Sequence, residues 1–64
     1  MDYWLKVRNV YGRDVYVNMD LVITITFLGA SGSERAEITF VGGEWVTTEN
    51  PDDVAMLRDW AERQ

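Results

Sequence analysis

The side chains able to do chemistry in this sequence are few in kind. Its 64 residues include neither His nor Cys. That excludes imidazole as a base at neutral pH, a thiolate nucleophile, disulfides and nearly all zinc and transition-metal sites. Ser31 and Ser33 have no partner base. Carboxylates are plentiful, and Asp14, Asp20 and Glu44 could be gathered in space around magnesium or as an acid pair, but nothing in their spacing asks for it. Neither enzymatic activity nor a cofactor is expected. What the chain does offer is aromatic rings beside cations. Lys6, Arg8 and Arg13 could hold the phosphates of a nucleotide-like molecule, with Trp4 or Tyr11 stacking its base. A second apolar pair, Met56 and Trp60, lies near the C-terminus. Gly29-Ala30-Ser31-Gly32-Ser33 could cradle phosphate through backbone N–H groups, but it lacks the Lys and the following helix of a phosphate-binding loop, so it reads as a hairpin tip.

The elements that position these residues follow from alternation and turn chemistry. Tyr3 to Arg8 alternates, with Tyr3, Leu5 and Val7 on one face and Trp4, Lys6 and Arg8 on the other. Trp4 therefore stands on the polar face. Either it packs under the helix or across a neighbouring strand, or it is an exposed binding aromatic. Asn9 to Asp14 makes a hairpin connection with Gly12 at its centre and Arg13 at its tip. Val15-Tyr16-Val17 is a short strand, and Asn18 and Asp20 supply turn chemistry. In Leu21–Leu28 the residues Leu21, Ile23, Ile25 and Phe27 form a core spine. Val22, Thr24, Thr26 and Leu28 make a semi-apolar second face, which suits a central strand covered on both sides. Arg35 to Val41 alternates with Ala36, Ile38 and Phe40 inward, Gly42-Gly43 is a two-residue hairpin signal, and Glu44 to Thr48 is the last strand.

The period then changes. Asn50 is a favourable N-cap, Pro51 fits the first helical position, and Asp52 and Asp53 suit the positive end of the helix dipole. Val54, Leu57 and Ala61 form the core stripe. Asp59 and Arg63 are spaced as an i,i+4 pair. With Met56 and Trp60 the apolar sweep covers roughly 160° of the helix. That is wider than docking on one small sheet requires, so either a second copy or a curled sheet covers Trp60. The expected fold is α+β: one domain over residues 1–64, a five-stranded antiparallel meander followed by one helix. Strands this short could curl into a barrel or pair across a dimer.

Size and charge narrow the partners. So small a domain buries only about 60% of its unfolded surface and needs extra support. Without Cys or His, that support is dense packing or self-association. Its three Trp, three Tyr and two Phe supply either a core or an interface. The net charge of −5 resides after Leu21, and such an acidic balance disfavours nucleic acid and anionic membranes. Met1-Asp2-Tyr3-Trp4 lacks the start of a signal peptide, and no apolar run approaches the roughly 20 residues of a bilayer span. A cytoplasmic protein is expected.

Lys6-Val7-Arg8-Asn9, then Gly12-Arg13-Asp14-Val15-Tyr16-Val17-Asn18-Met19-Asp20-Leu21-Val22, then Ile25, resembles the small flagellar FlbD-type proteins, also called swarming-motility SwrD-type. Ala36 to Glu49 looks like their second hairpin, and Asn50 to Ala61 like their closing helix. The resemblance implies a small non-enzymatic accessory protein acting through protein contacts, in a bacterium or on a phage. Two functions therefore stand side by side. One is a homo-oligomeric protein-interaction module using Trp4, Met56 and Trp60. The other is a sponge that holds a small anionic, nucleotide-like signalling molecule between subunits through Trp4, Lys6, Arg8, Tyr11 and Arg13.

Overall fold

Turn chemistry cuts the chain where the alternation breaks. The computed structural model describes residues 3–64; Met1 and Asp2, the start of the segment read for a leader, lie outside the described residues. The elements are β1 (Trp4–Arg8), β2 (Asp14–Asn18), a 3-10 turn at Met19–Leu21, β3 (Val22–Leu28), β4 (Arg35–Phe40), β5 (Trp45–Thr48) and α1 (Pro51–Glu62). All strand pairs are antiparallel, and one helix closes the chain, as expected. The strands form two sheets, a β1–β2 ribbon and a β3–β4–β5 sheet. Among the described residues no ladder joins the two, so the barrel does not close. Among the described residues no helix is long and apolar enough to cross a membrane.

The β1–β2 and β4–β5 hairpins turn in the same way. Asn9 N–H donates to Arg13 C=O (2.8 Å) and Gly12 N–H to Asn9 C=O (3.0 Å), while Phe40 N–H donates to Glu44 C=O and Gly43 N–H to Phe40 C=O, both at 2.9 Å. Each loop ends on a glycine at positive φ, +80° at Gly12 and +93° at Gly43, which is the three-residue bulged hairpin. Gly42-Gly43 is thus not a two-residue turn: Val41 joins the loop, and only Gly43 takes the left-handed conformation. Asn18 works as expected, its Oδ1 accepting from Asp20 N–H at 3.0 Å.

Two expectations for β3 fail for identifiable reasons. It is an edge strand, paired with β4 alone, and the centre of the sheet is β4, where Ala36 and Ile38 are fully buried. Nor do Leu21 and Ile23 belong to the core spine, being 51% and 60% exposed. Leu21 ends the 3-10 turn, and a β-bulge breaks the register between Val22 and Thr24. One extra residue in a period of two exchanges the faces. Val22 consequently packs against the core beside Ile25 and Phe27.

The core lies between the two sheets and α1. Val7, Val17 and Met19 come from the ribbon and its turn, Ala36 and Ile38 from β4, and Val54 and Leu57 from α1. Each large aliphatic buried there contributes about 1.5–3 kcal/mol. Asn50 Oδ1 caps α1, accepting from Asp52 N–H at 2.9 Å, with Pro51 in the first turn. Arg58 lies over the Phe27 ring, 4.7 Å from its centroid, and pairs with Glu34 at 3.3 Å. The Asp59–Arg63 pair forms at 2.9 Å, but exposed pairs of this kind contribute only a few tenths of a kcal/mol.

The corrected core separates two substitutions of similar chemistry. Ile38→Ala should lower stability by about 2–5 kcal/mol, whereas Leu21→Thr should stay within about 0.5 kcal/mol of the parent, both read from urea unfolding midpoints.

Candidate functional site

The β1–β2 register decides which predicted residues meet. Trp4 lies opposite Asn18, Lys6 opposite Tyr16, and Arg8 opposite Asp14. Since Val7 and Val17 point into the core, alternation turns these six residues to the solvent face of the ribbon. Trp4 is 53% and Tyr16 68% exposed, so Trp4 is the open aromatic rather than a packed one. Tyr16 sits diagonally across from Trp4, at a spacing that aromatic side chains can span, with Lys6 directly opposite it. Trp4, Lys6 and Arg8 therefore form one face, and Tyr16 joins them. The reading of sequence passed over Tyr16, although Val15 and Val17 pointing inward would have placed it outward.

The cations on this face are only partly available to an anion. Arg8 Nε lies 3.5 Å from Asp14 Oδ1, with both side chains about half exposed. Behind it, Arg8 N–H donates to Asp53 Oδ2 at 2.7 Å, which brings a second carboxylate close to the same end of β1. Tyr11 and Arg13 lie beyond Arg8 in the hairpin loop. Asn9 Oδ1 shapes that loop by accepting from the N–H groups of Tyr11 and Arg13, both at 3.0 Å. Tyr11 is 84% exposed. It is carried at the ribbon's tip, not folded over the Trp4 face.

Met56 and Trp60 form a separate cluster. The Trp60 ring stacks on Tyr3, with centroids 6.4 Å apart and planes inclined by 21°. Tyr3, Leu5, Met56 and Trp60 line one shallow groove, and Trp60 with Val22–Ile25 lines another. Trp60 is half-buried; the N-terminal segment gives it part of its cover. Tyr3 and Leu5 alternate with Trp4, so Trp4 points away from Met56 and Trp60. The three candidate interface residues thus lie on two surfaces, Trp4 with Lys6 and Arg8 on one and Met56 with Trp60 on the other.

A third surface is apolar. Val15, Val17, Leu21, Phe40, Val41 and Val46 line a groove between the ribbon and the β4–β5 hairpin. Among the described residues no group of three or more Asp or Glu converges as metal ligands would. Gly29 and Gly32 take positive φ, and Ser33 N–H donates to Ala30 C=O at 3.0 Å, so this loop is a hydrogen-bonded hairpin tip. Comparison with known proteins finds no matching family model, no matching curated protein and no matching solved structure.

The stack can be tested on a protein in which Trp4 and Trp45 are replaced by Phe, leaving Trp60 as the sole indole. Tyr3→Ala should raise acrylamide quenching of Trp60 and lower stability by about 0.5–1.5 kcal/mol beyond lost area. Unchanged quenching would mean that Tyr3 does not cover Trp60.

Proposed function

We propose that this chain is a non-enzymatic protein-interaction module that works as a homo-oligomer. One observation carries the reading. Among the described residues, nine large apolar or aromatic side chains are at least 48% exposed, against seven hydrophobic residues in the buried core. Where such side chains adjoin one another they mark contact sites. Leu21 and Val41 stand beside the groove between ribbon and sheet, and Ile23 and Trp60 beside the β3 edge. Small size supports the same reading, because association supplies the burial that a short chain lacks. The motif pattern resembling the FlbD-type proteins supports an accessory role through protein contacts, in the cytoplasm of a bacterium or carried by a phage. The acidic balance favours protein partners over nucleic acid or membrane.

A second reading rests on the ribbon face. The register that brings Trp4, Lys6, Tyr16 and Arg8 together suits a small anionic ligand with a ring to stack, and a nucleotide-like molecule held between subunits is its natural form. Asp14 beside Arg8 weighs against tight phosphate binding there.

Sedimentation velocity across a dilution series tests the first reading. A mass that is a multiple of the chain mass and falls on dilution is expected; a monomer at every concentration contradicts it. Thermal unfolding with a panel of nucleotides tests the second. A ligand at a hundredfold excess over its Kd should stabilise by about 2.7 kcal/mol, and Lys6→Glu should abolish the shift. Melting that ignores every nucleotide removes this reading.

A further inference from the structure

We infer that the open edge of β3 is where two copies of this chain meet, pairing antiparallel about a two-fold axis through Ile25. This rests on the homo-oligomer reading and says which surface carries it.

The backbone supplies the first part of the case. Phe40 N–H bonds toward β5, to Glu44, whereas Val41 N–H bonds toward Leu21, at the start of β3. Backbone groups alternate sides along a strand, so Thr39 and Glu37 also turn toward β3. Their register partners Thr24 and Thr26 therefore face β4. Ile25, between them, and Phe27 direct their N–H and C=O groups to the side where, among the described residues, no strand pairs. These groups form a ready template for another strand.

The sequence says which strand. β3 is seven residues long, Val22-Ile23-Thr24-Ile25-Thr26-Phe27-Leu28, and carries no charge, proline or lysine of the kind that blunts edges in monomers. It is also a palindrome in residue class. Read outward from Ile25, Thr24 mirrors Thr26, Ile23 mirrors Phe27, and Val22 mirrors Leu28. A two-fold interface requires residue i to meet j while j meets i. Antiparallel pairing about Ile25 satisfies this over Thr24–Thr26, the regular stretch beyond the bulge between Val22 and Thr24: Ile25 meets Ile25, Thr meets Thr, and no like charges oppose. The Ile25 pair would exchange both N–H···O=C bonds, joining the two three-stranded sheets into one of six.

Neighbouring side chains enlarge the contact. A strand pair alone buries less than a stable dimer's roughly 1,200–2,000 Å². Exposed Ile23 and half-buried Trp60 and Ala61 border the same edge, lining a groove with Val22–Ile25, and would be covered with it. The uncharged length of β3 likewise fits a strand paired along both edges.

Charge placement at Thr24 and Thr26 tests the register. Both side chains are exposed. In the pairing, position 24 of one copy faces position 26 of the other. Thr24→Lys combined with Thr26→Lys opposes like charges and should reduce the mass from twice the chain mass to one chain, with unchanged circular dichroism. Thr24→Glu combined with Thr26→Lys opposes unlike charges and should remain a dimer. A double-lysine variant that stays dimeric overturns the β3 edge while leaving homo-oligomerisation intact; a wild-type monomer removes both. Should the double-lysine variant unfold, amide exchange of the wild type decides. Exchange at Ile25 and Phe27 should slow by at least about tenfold on going from dilute to concentrated protein, while Thr24 and Thr26 stay protected throughout. Rates at Ile25 and Phe27 that do not change across a range where the mass does overturn the inference.

Discussion

Much of the structure depends on Asp53 holding the ribbon to the body. Its Oδ2 accepts from Arg8 N–H at 2.7 Å, at the end of β1, and from the Thr48 hydroxyl at 3.4 Å, at the end of β5. Thr48 is fully buried, and its Oγ1 in turn accepts from Asn50 N–H at 3.2 Å, the residue that caps α1. One carboxylate therefore ties the last residue of the ribbon's first strand to the entry of the helix. No ladder does this work among the described residues. Apolar packing of Val7, Val17 and Met19 against Ile38, Val54 and Leu57 pulls the two parts together but is not directional. The hydrogen bonds fix the angle. Asp53 also sits in the first turn of α1, where a negative charge is favoured by the helix dipole, so one residue serves fold and helix alike.

The same division leaves the chain with open backbone. Two sheets instead of one closed barrel mean that, among the described residues, the flanks of the ribbon and of the β3–β4–β5 sheet have no strand partners. Without Cys or His these residues supply neither a disulfide nor a zinc site to brace the two parts. Exposed apolar side chains gather beside these edges. That coincidence, more than any cluster of polar groups, directs the functional reading toward contact with other chains. The ribbon face with Trp4, Lys6 and Tyr16 stands apart from it, on the side of β1 away from Tyr3 and Leu5.

Much of this was legible in the sequence because turn residues act locally. Asn9, Asn18 and Asn50 each accept from amides two or four residues onward, and such bonds depend on little beyond the adjoining chain. The capped helix and the inward set Ala36, Ile38 and Phe40 follow for the same reason. The failures arise where a non-local choice decides. Whether Leu21 and Ile23 join Ile25 and Phe27 depends on a bulge against β4, and alternation alone carries no trace of an inserted residue. The position of β3 at an edge depends on which strands pair, a matter of the whole chain. The candidate site was partly legible. Trp4, Lys6 and Arg8 share a face because a strand must place them so, whereas the stacking of Trp60 on Tyr3 depends on how the helix meets β1 and has no local signal. The part played by Asp53 between β1 and β5 had no signal in its spacing.

The tie at Asp53 is open to direct measurement by comparing residue-specific amide exchange in the parent and in Asp53→Ala. Losing an ionised acceptor of two hydrogen bonds should cost about 1–3 kcal/mol. The loss should fall first on the ribbon: amides of Leu5 to Val17 should exchange faster relative to those of β4 and α1, and Asp53→Asn, which keeps an acceptor oxygen, should restore part of the difference. Uniform acceleration across ribbon, sheet and helix, or no change at all, would contradict the account that one carboxylate holds the two parts of this fold in place.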